Sequence, residues 1–333
     1  MTTTATASRT ARRLSGFKPT GHLQLGNYLG AIRPMIEKQG DVESIVIVVD
    51  LHGLTVEHDP ARLRTLTEEQ VGVLLAAGVD PGRTTLYVQS HVPEHLELHY
   101  LLECATSYGE AHRMIQFKEK SATQSQVRLS LLTYPVLMAA DILLHDTDEV
   151  PVGEDQAQHV ELTRAVATRF NSRYGDTFVV PRAVNPDVAA RLMDLADPTS
   201  KMGKSATNTA GTLFLLDPPD VLRRKVSRAV TDTGTEVTYD PETNPGVSNL
   251  LEILAACVGD SPAALSGLFR GYGDLKAAVA DSVVATVSPI QQRYADLLAD
   301  REYLRSVVHH GAAQARERAG ATVRRAREAI GLY

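Results

Sequence analysis

Ser44-Ile45-Val46-Ile47-Val48-Val49 is a run of β-branched residues that stops abruptly at Asp50-Leu51-His52-Gly53. Such a run suits a strand covered on both faces, a feature of parallel sheets. The residues that follow agree. Asp59-Pro60 opens a helix, with Asp as N-cap and Pro at the first position. Leu63, Leu66, Leu74 and Leu75 give it an apolar face, and Gly78 closes it. Thr85-Leu86-Tyr87-Val88 reads as the next strand. Strand–helix–strand order implies an α/β fold, a parallel sheet with right-handed crossovers. Open sheets of this kind bind ligands past the carboxyl ends of their strands, so polar residues there matter most.

From Glu94 to Leu144 the pattern is mainly helical, a strand is expected at Glu149–Val152, and Gly153 leads into a helix with Val160, Leu162 and Val166 on its apolar face. A Ser/Thr/Gly/Asn-rich loop runs from Asp197 to Gly211. Beyond Asp217 helical periodicity takes over, at Val221–Val230, Val247–Val258 and from Leu275 onward, which places a domain change near residues 206–217. Residues 1–11 are mostly Thr, Ala and Ser, lack the apolar stretch of a signal peptide and read as a disordered tail. No apolar run approaches the roughly 20 residues of a membrane span. Cys104 and Cys257 have no metal-ligand spacing and are expected as buried free thiols in a reducing, cytoplasmic setting. A net charge of −6 argues against bulk, sequence-blind binding to DNA but not against a local basic face. Residues 301–333 hold seven Arg against three Glu, and charge alone favours a solvated helix surface there.

Two segments carry phosphate chemistry. In Ser15-Gly16-Phe17-Lys18-Pro19-Thr20-Gly21-His22-Leu23-Gln24-Leu25-Gly26-Asn27-Tyr28, a strand meets a Gly/Pro turn and a helix that starts near Leu25. Glycine permits close backbone approach, and a helix start offers free N–H groups to an anion; a tight structural corner would read the same way. In Pro198-Thr199-Ser200-Lys201-Met202-Gly203-Lys204-Ser205, two lysines lie three residues apart in a small-residue loop. A cation that meets leaving pyrophosphate only in the transition state accelerates the step, although a solvated loop has the same composition. A third segment, Leu131 to Leu143, places Tyr134, Met138 and Asp141 on one helix face. Asp141 sits in an apolar stretch and needs a donor; an indole N–H is a donor only. An Arg or a helix end would also serve.

Taken together, the first two segments resemble the HIGH-type and KMSKS-type signatures of class I aminoacyl-tRNA synthetases. Gln24-Leu25-Gly26-Asn27 stands at the first position and Lys201–Ser205 at the second. The third segment, with Glu149-Val150-Pro151-Val152-Gly153-Glu154-Asp155-Gln156-Ala157-Gln158-His159, Gln116–Ser121 and Asp50-Leu51-His52, looks like the amino-acid pocket of the bacterial tryptophanyl-tRNA synthetases. The resemblance runs from about Leu14 to the C-terminus. It implies a Rossmann-like parallel-sheet catalytic domain over residues 12–205 with inserted dimerisation helices. A smaller all-helical anticodon-binding region over 206–333 would follow, its last helix packing back on the catalytic domain.

The same resemblance implies that L-tryptophan is activated with ATP and Mg²⁺ and then transferred to tRNA(Trp) by a homodimer. Asp141 would accept the indole N–H. Tyr134 and Gln156 would hold the α-amino group, and Met138, Val150 and Val152 would line the ring. His52 would lie near the substrate carboxylate. Gln24, Asn27, Lys120, Lys201 and Lys204 would take part in catalysis. Lys18, Thr20, Gly26, Asn27, Gly153, Asp155, Lys201, Met202, Lys204 and Ser205 would bind ATP, with no protein metal cage. Departures from the pattern lie around ATP and the pocket mouth: Leu14, Lys18, Gln24, Gly203 and Ala206-Thr207-Asn208. They suggest an auxiliary, inhibitor-tolerant isozyme, which the absence of any Trp would suit. A tyrosyl-tRNA synthetase, or a synthetase-like paralogue that binds tryptophan without charging tRNA, remain the alternatives.

Overall fold

The computed structural model describes residues 10–122, 124, 126–184, 192–203 and 209–333, without the side chains of Glu154 and Asp155. Most of the expected N-terminal tail lies outside the described residues. Ala11, its last residue, is already tied in, because its carbonyl accepts from Glu43 N at 3.0 Å.

The first half alternates strand and helix: β1 (Arg12–Phe17), α1 (Leu25–Asn27), α2 (Arg33–Glu37), β2 (Glu43–Val48), α3 (Pro60–Ala77) and β3 (Thr84–Val88). A helical stretch follows, α4 (Glu94–Glu103), α5 (Tyr108–His112), α6 (Ile115–Ala122) and α7 (Leu129–Leu143). Then come β4 (Glu149–Pro151), α8 (Glu154–Tyr174) and β5 (Arg182–Val184). The remainder is helical: α9 (Pro219–Ser227), α10 (Pro245–Val258), α11 (Pro262–Leu265), α12 (Tyr272–Ala299) and α13 (Arg301–Ile330). The caps of α3 follow the sequence. Asp59 accepts from Arg62 N at 2.7 Å, and Gly78 ends the helix at φ 119°, where a side chain would be strained.

The five strands are parallel in the order β3-β2-β1-β4-β5. Chain order therefore reverses between β1 and β4, and a crevice opens past their carboxyl ends. Alternation splits the core in two. Val46, Val48, Leu86 and Val88 face a cluster that also takes in Leu23, Leu25, Leu213, Leu222, Leu250 and Val279, so the helices after Asp217 share an apolar core with this face. Leu14, Ile45, Ile47, Tyr87 and Val150 face the opposite cluster, with Ala139, Val160, Ala315 and Ala319.

Helix α13 lies along edge strand β3, covering backbone groups that would otherwise invite another strand. Its basic face was expected to be a solvated surface, and Arg316 and Arg325 are exposed, but four of its arginines also make tertiary contacts. Arg316 Nε donates to His91 O at 2.8 Å, Arg318 pairs with Glu43, Arg325 with Asp146 at 2.6 Å and Arg327 with Glu97 at 3.0 Å. The helix docks on elements whose exposed ends are acidic, so these charges serve the packing. A second correction concerns Cys104, which is exposed because it caps the C-terminus of α4; Cys257 is half-buried.

Strand β5 has no apolar alternation and was not expected. Its pairing with β4 sets Arg182 beside Glu149, while Arg13 of β1 flanks Glu149 from the other side. The bond from Arg13 chiefly holds the Glu149 carboxyl below its ordinary value of 4.5. A lowered folded value means that the pair stabilises above about pH 4.5 and that this is lost as pH falls through the folded value. Glu149→Gln is expected to cost roughly 1–2 kcal/mol at pH 7, since Arg182 is 68% exposed and solvent screens that half. Thermal unfolding at several pH values checks it: the gap from wild type should close below pH 4.

Candidate active site

The crevice between β1 and β4 is built first by the turn after β1. Lys18 leaves the end of the strand and donates from Nζ to Thr55 Oγ1 at 3.1 Å. Burial, with the charge of Lys120 nearby, lowers its ammonium to about 8. Lys120 itself, on α6, stands 5.4 Å over the ring of Tyr134. Two of the lysines expected to hold phosphate therefore share one side of the site. Thr20, two residues after Lys18, is half-buried.

Gln24 and Asn27 form a reciprocal cap at the start of α1. The Gln24 side chain accepts from Gly26 N, and Asn27 Oδ1 accepts from Gln24 N at 3.2 Å. The Gly26 amide is thus already used, and a Cβ on Gly26 would meet Gln24 Oε1 at 2.9 Å. Gln24 is buried and donates from Nε2 to Met202 O at 3.1 Å. This bond joins the two motif loops, which are also laced by Leu25 N to Leu213 O at 2.8 Å and Leu215 N to Leu23 O at 2.9 Å. Met202, expected at ATP, points its side chain into the core and its N–H to Leu192 O at 3.0 Å. It anchors the loop, and Lys201, exposed beside it, bridges to Met193. Lys204 and Ser205 lie outside the described residues, as does the side chain of Asp155. Gly153 caps the start of α8 without a side chain, and Gln156 N closes the first turn on Gly153 O at 3.0 Å.

Past the ends of β2 and β3 the chemistry changes sign. Asp141 is 3% exposed on α7, and three side-chain nitrogens lie within 3 Å of its carboxylate. His52 Nε2 is 2.9 Å from Oδ2, and Gln89 Nε2 donates to Oδ1 at 2.6 Å. His95 Nδ1 lies 2.7 Å from Oδ1, off hydrogen-bond alignment. Burial works to raise the carboxyl, but the two histidines outweigh it and hold it well below the usual carboxylate range. Asp141 is therefore ionised. His52, expected near the substrate carboxylate, spends Nε2 on this acid. Its ring stands edge-on to Tyr134 at 6.1 Å, and the Tyr134 hydroxyl bonds His159 Nε2 at 3.0 Å. Leu14, Val49, Val150 and Val152 are buried in one apolar cluster with Met138 packed against it. An ionised acceptor at the wall of an apolar cluster, next to two lysines, can take an aromatic amino acid at one end and phosphate at the other.

Gln89, His95, Tyr87 and His145 were not anticipated. Gln89 was within reach of the rule about strand ends, because it directly follows β3. His95 and His145 carry no local signal, since nothing in a helix or a turn says that its imidazole faces a residue tens of positions away.

Known proteins resemble this chain over most of its length. The family of class I tRNA synthetases for tryptophan and tyrosine matches residues 6–288. Tryptophan–tRNA ligase 1 of Streptomyces avermitilis is 58% identical over 326 residues, 96% of this chain and 98% of its own length. Tryptophan–tRNA ligase 2 of the same organism is 48% identical, covering 98% of each chain. Among solved structures, tryptophanyl-tRNA synthetase from Mycoplasma pneumoniae superposes with a TM-score of 0.90 at 36% identity, over 97% of this chain and 98% of that one. With its parallel sheet, crevice and paired motif loops, the chain belongs to the class I tRNA synthetases of the tryptophan and tyrosine family.

Proposed function

We infer that this chain is a tryptophan–tRNA ligase, which makes tryptophanyl-adenylate from L-tryptophan and ATP and then esterifies the 3′ end of tRNA(Trp). The observation that carries the reading is the ionised Asp141 at the wall of an apolar cluster, in a chain 58% identical to a protein so named. An indole N–H on Asp141 would leave the α-amino group near Tyr134 and Gln156. The substrate carboxylate attacks the α-phosphorus in line and pyrophosphate leaves. No protein nucleophile is needed, so orientation and charge carry the rate. Lys18, Lys120 and Lys201 suit the triphosphate, and Lys204 would join them. Mg²⁺ would neutralise charge on the phosphates. Among the described residues no metal-binding group of His, Cys, Asp or Glu converges, so phosphate oxygens would be its main ligands. Tryptophan-dependent ATP–pyrophosphate exchange followed by tRNA charging tests the whole reading. Exchange with tyrosine instead, or adenylate without charged tRNA, would overturn it.

A homodimer through the helices of residues 94–144 is part of this reading. Tyr100, Tyr108, Ile115 and Leu129 are exposed there, Leu129 by 74%. Leu129→Glu with Tyr100→Glu is expected to give monomers in sedimentation; an unchanged mass would move the interface elsewhere. The helices after Asp217 would read the anticodon.

Lys18 supports the reading of an auxiliary, inhibitor-tolerant copy, because it adds a cation beside the triphosphate position. With an ammonium lowered to about 8, Lys18 loses its charge as pH rises through that value. The KM for ATP should therefore climb between pH 7 and 9 in wild type and stay flatter in Lys18→Gln. The same variant should become more sensitive to a tryptophan-like inhibitor; equal inhibition of both forms would remove the isozyme idea.

A further inference from the structure

Behind Asp141 runs a chain of fully buried polar groups that the reaction itself does not use. Tyr87, Gln89, His95 and His145 all have no solvent exposure. The Tyr87 hydroxyl is 2.9 Å from His95 Nε2 and 2.6 Å from His145 Nε2. The partners assign the protons. An ionised Asp141 calls for N–H at His95 Nδ1, so His95 Nε2 is the acceptor and the Tyr87 O–H donates to it. The Tyr87 oxygen then accepts from His145 Nε2–H. Burial keeps His145 neutral and the Tyr87 hydroxyl protonated, which the chain requires. His145 Nδ1 is left as a bare, unpartnered nitrogen. Every donor in the series points toward the carboxylate.

A carboxylate oxygen has two lone-pair positions. Among the described residues, Gln89 Nε2 and His95 Nδ1 both lie on Oδ1, whereas His52 reaches Oδ2. We propose that Gln89, His95 and Tyr87 are positioning residues that set amino-acid selectivity: Gln89 donates to Oδ1 of Asp141 and the His95 ring, held by Tyr87, lies against the same oxygen, so a substrate N–H is directed to Oδ2. They also fix the plane of the carboxylate, since Asp141 cannot rotate without losing the pair on Oδ1. This rests on the reading of Asp141 as the indole acceptor.

The test is the ratio of kcat/KM for tryptophan to that for its benzothiophene analogue, in which sulfur replaces the ring N–H, measured by pyrophosphate exchange. Tyr87→Phe removes one oxygen and is expected to cut the ratio about threefold to tenfold; Gln89→Leu and His95→Leu should cut it tenfold or more. His95→Asn, which keeps a donor near the Nδ1 position, should recover much of the loss. A general packing defect would instead lower both substrates by one factor, and that outcome overturns the proposal. The acid side gives a second readout. The groups facing Asp141 are His52, His95, His99, Tyr87 and Gln89, with His145 behind. Removing a donor raises the carboxyl toward its ordinary range, so KM for tryptophan should rise as pH falls below about 5 in His95→Leu more than in wild type. If His95→Leu does not fold, Tyr87→Phe and Gln89→Leu decide. Asp141→Asn separates the two levels: an unchanged ratio there removes the indole acceptor itself, whereas a collapsed ratio there with unchanged ratios in Tyr87→Phe and Gln89→Leu removes only this inference.

Discussion

Asp141→Asn is expected to lower kcat/KM for tryptophan-dependent exchange by about 10²–10³-fold, while the analogue lacking a ring N–H loses less than about tenfold. Among the described residues, the buried acid is bonded by His52 and Gln89, with His95 Nδ1 2.7 Å from Oδ1. An amide in its place has one oxygen and one NH₂ group, so at least one of His52, Gln89 or His95 would face a donor. The charge that strengthens each of these bonds is also gone. Both losses fall on the substrate with the N–H, because only that substrate needs the open lone pair. A tryptophan rate within threefold of wild type would mean that the indole is recognised elsewhere.

Gly311→Ala should be the most damaging small substitution for stability, costing about 3 kcal/mol or more. A Cβ on Gly311 would sit 1.9 Å from Leu86 O and 2.7 Å from its carbonyl carbon. Both are backbone atoms of strand β3, so no side chain can swing away, and α13 would have to move off the sheet edge. The movement would reach the site, because Tyr87 and Gln89 belong to the same strand and its immediate continuation. Denaturant unfolding with circular dichroism measures the loss. Gly320 is the control on the same helix, since a Cβ there meets nothing nearer than the Arg324 guanidinium at 3.5 Å. Gly320→Ala should be neutral or mildly stabilising.

Much of the fold was legible because its signals are local. The Ser44–Val49 run, the Asp59-Pro60 start and Gly78 stop of α3, and the helices beyond Asp217 depend on propensity, capping and periodicity within a few residues. Strand β5 was illegible, since two exposed residues and one half-buried residue along an edge have no pattern of their own and exist as a strand only against β4. The arginines of α13 were misread for a related reason. Their charges are visible in the sequence, but the acids that neutralise them, Glu43, Glu97 and Asp146, come from three separate elements.

The residues by themselves determined that a parallel sheet would present a Gly/Pro turn after its first strand, a lysine loop and a helix face carrying Tyr134, Met138 and Asp141. Spacing along a helix or past a strand end decides such things within one element. Tertiary structure alone decided what each side chain does on arrival. It turned Gln24 into a clasp on Met202, sent Met202 into the core and buried Lys18 near Lys120, which lowers its ammonium to about 8. It also surrounded Asp141 with donors from β2's exit, β3's exit and α4. Hydrogen bonds and burial are properties of pairs, and here the partners lie 46 to 178 residues apart along the chain.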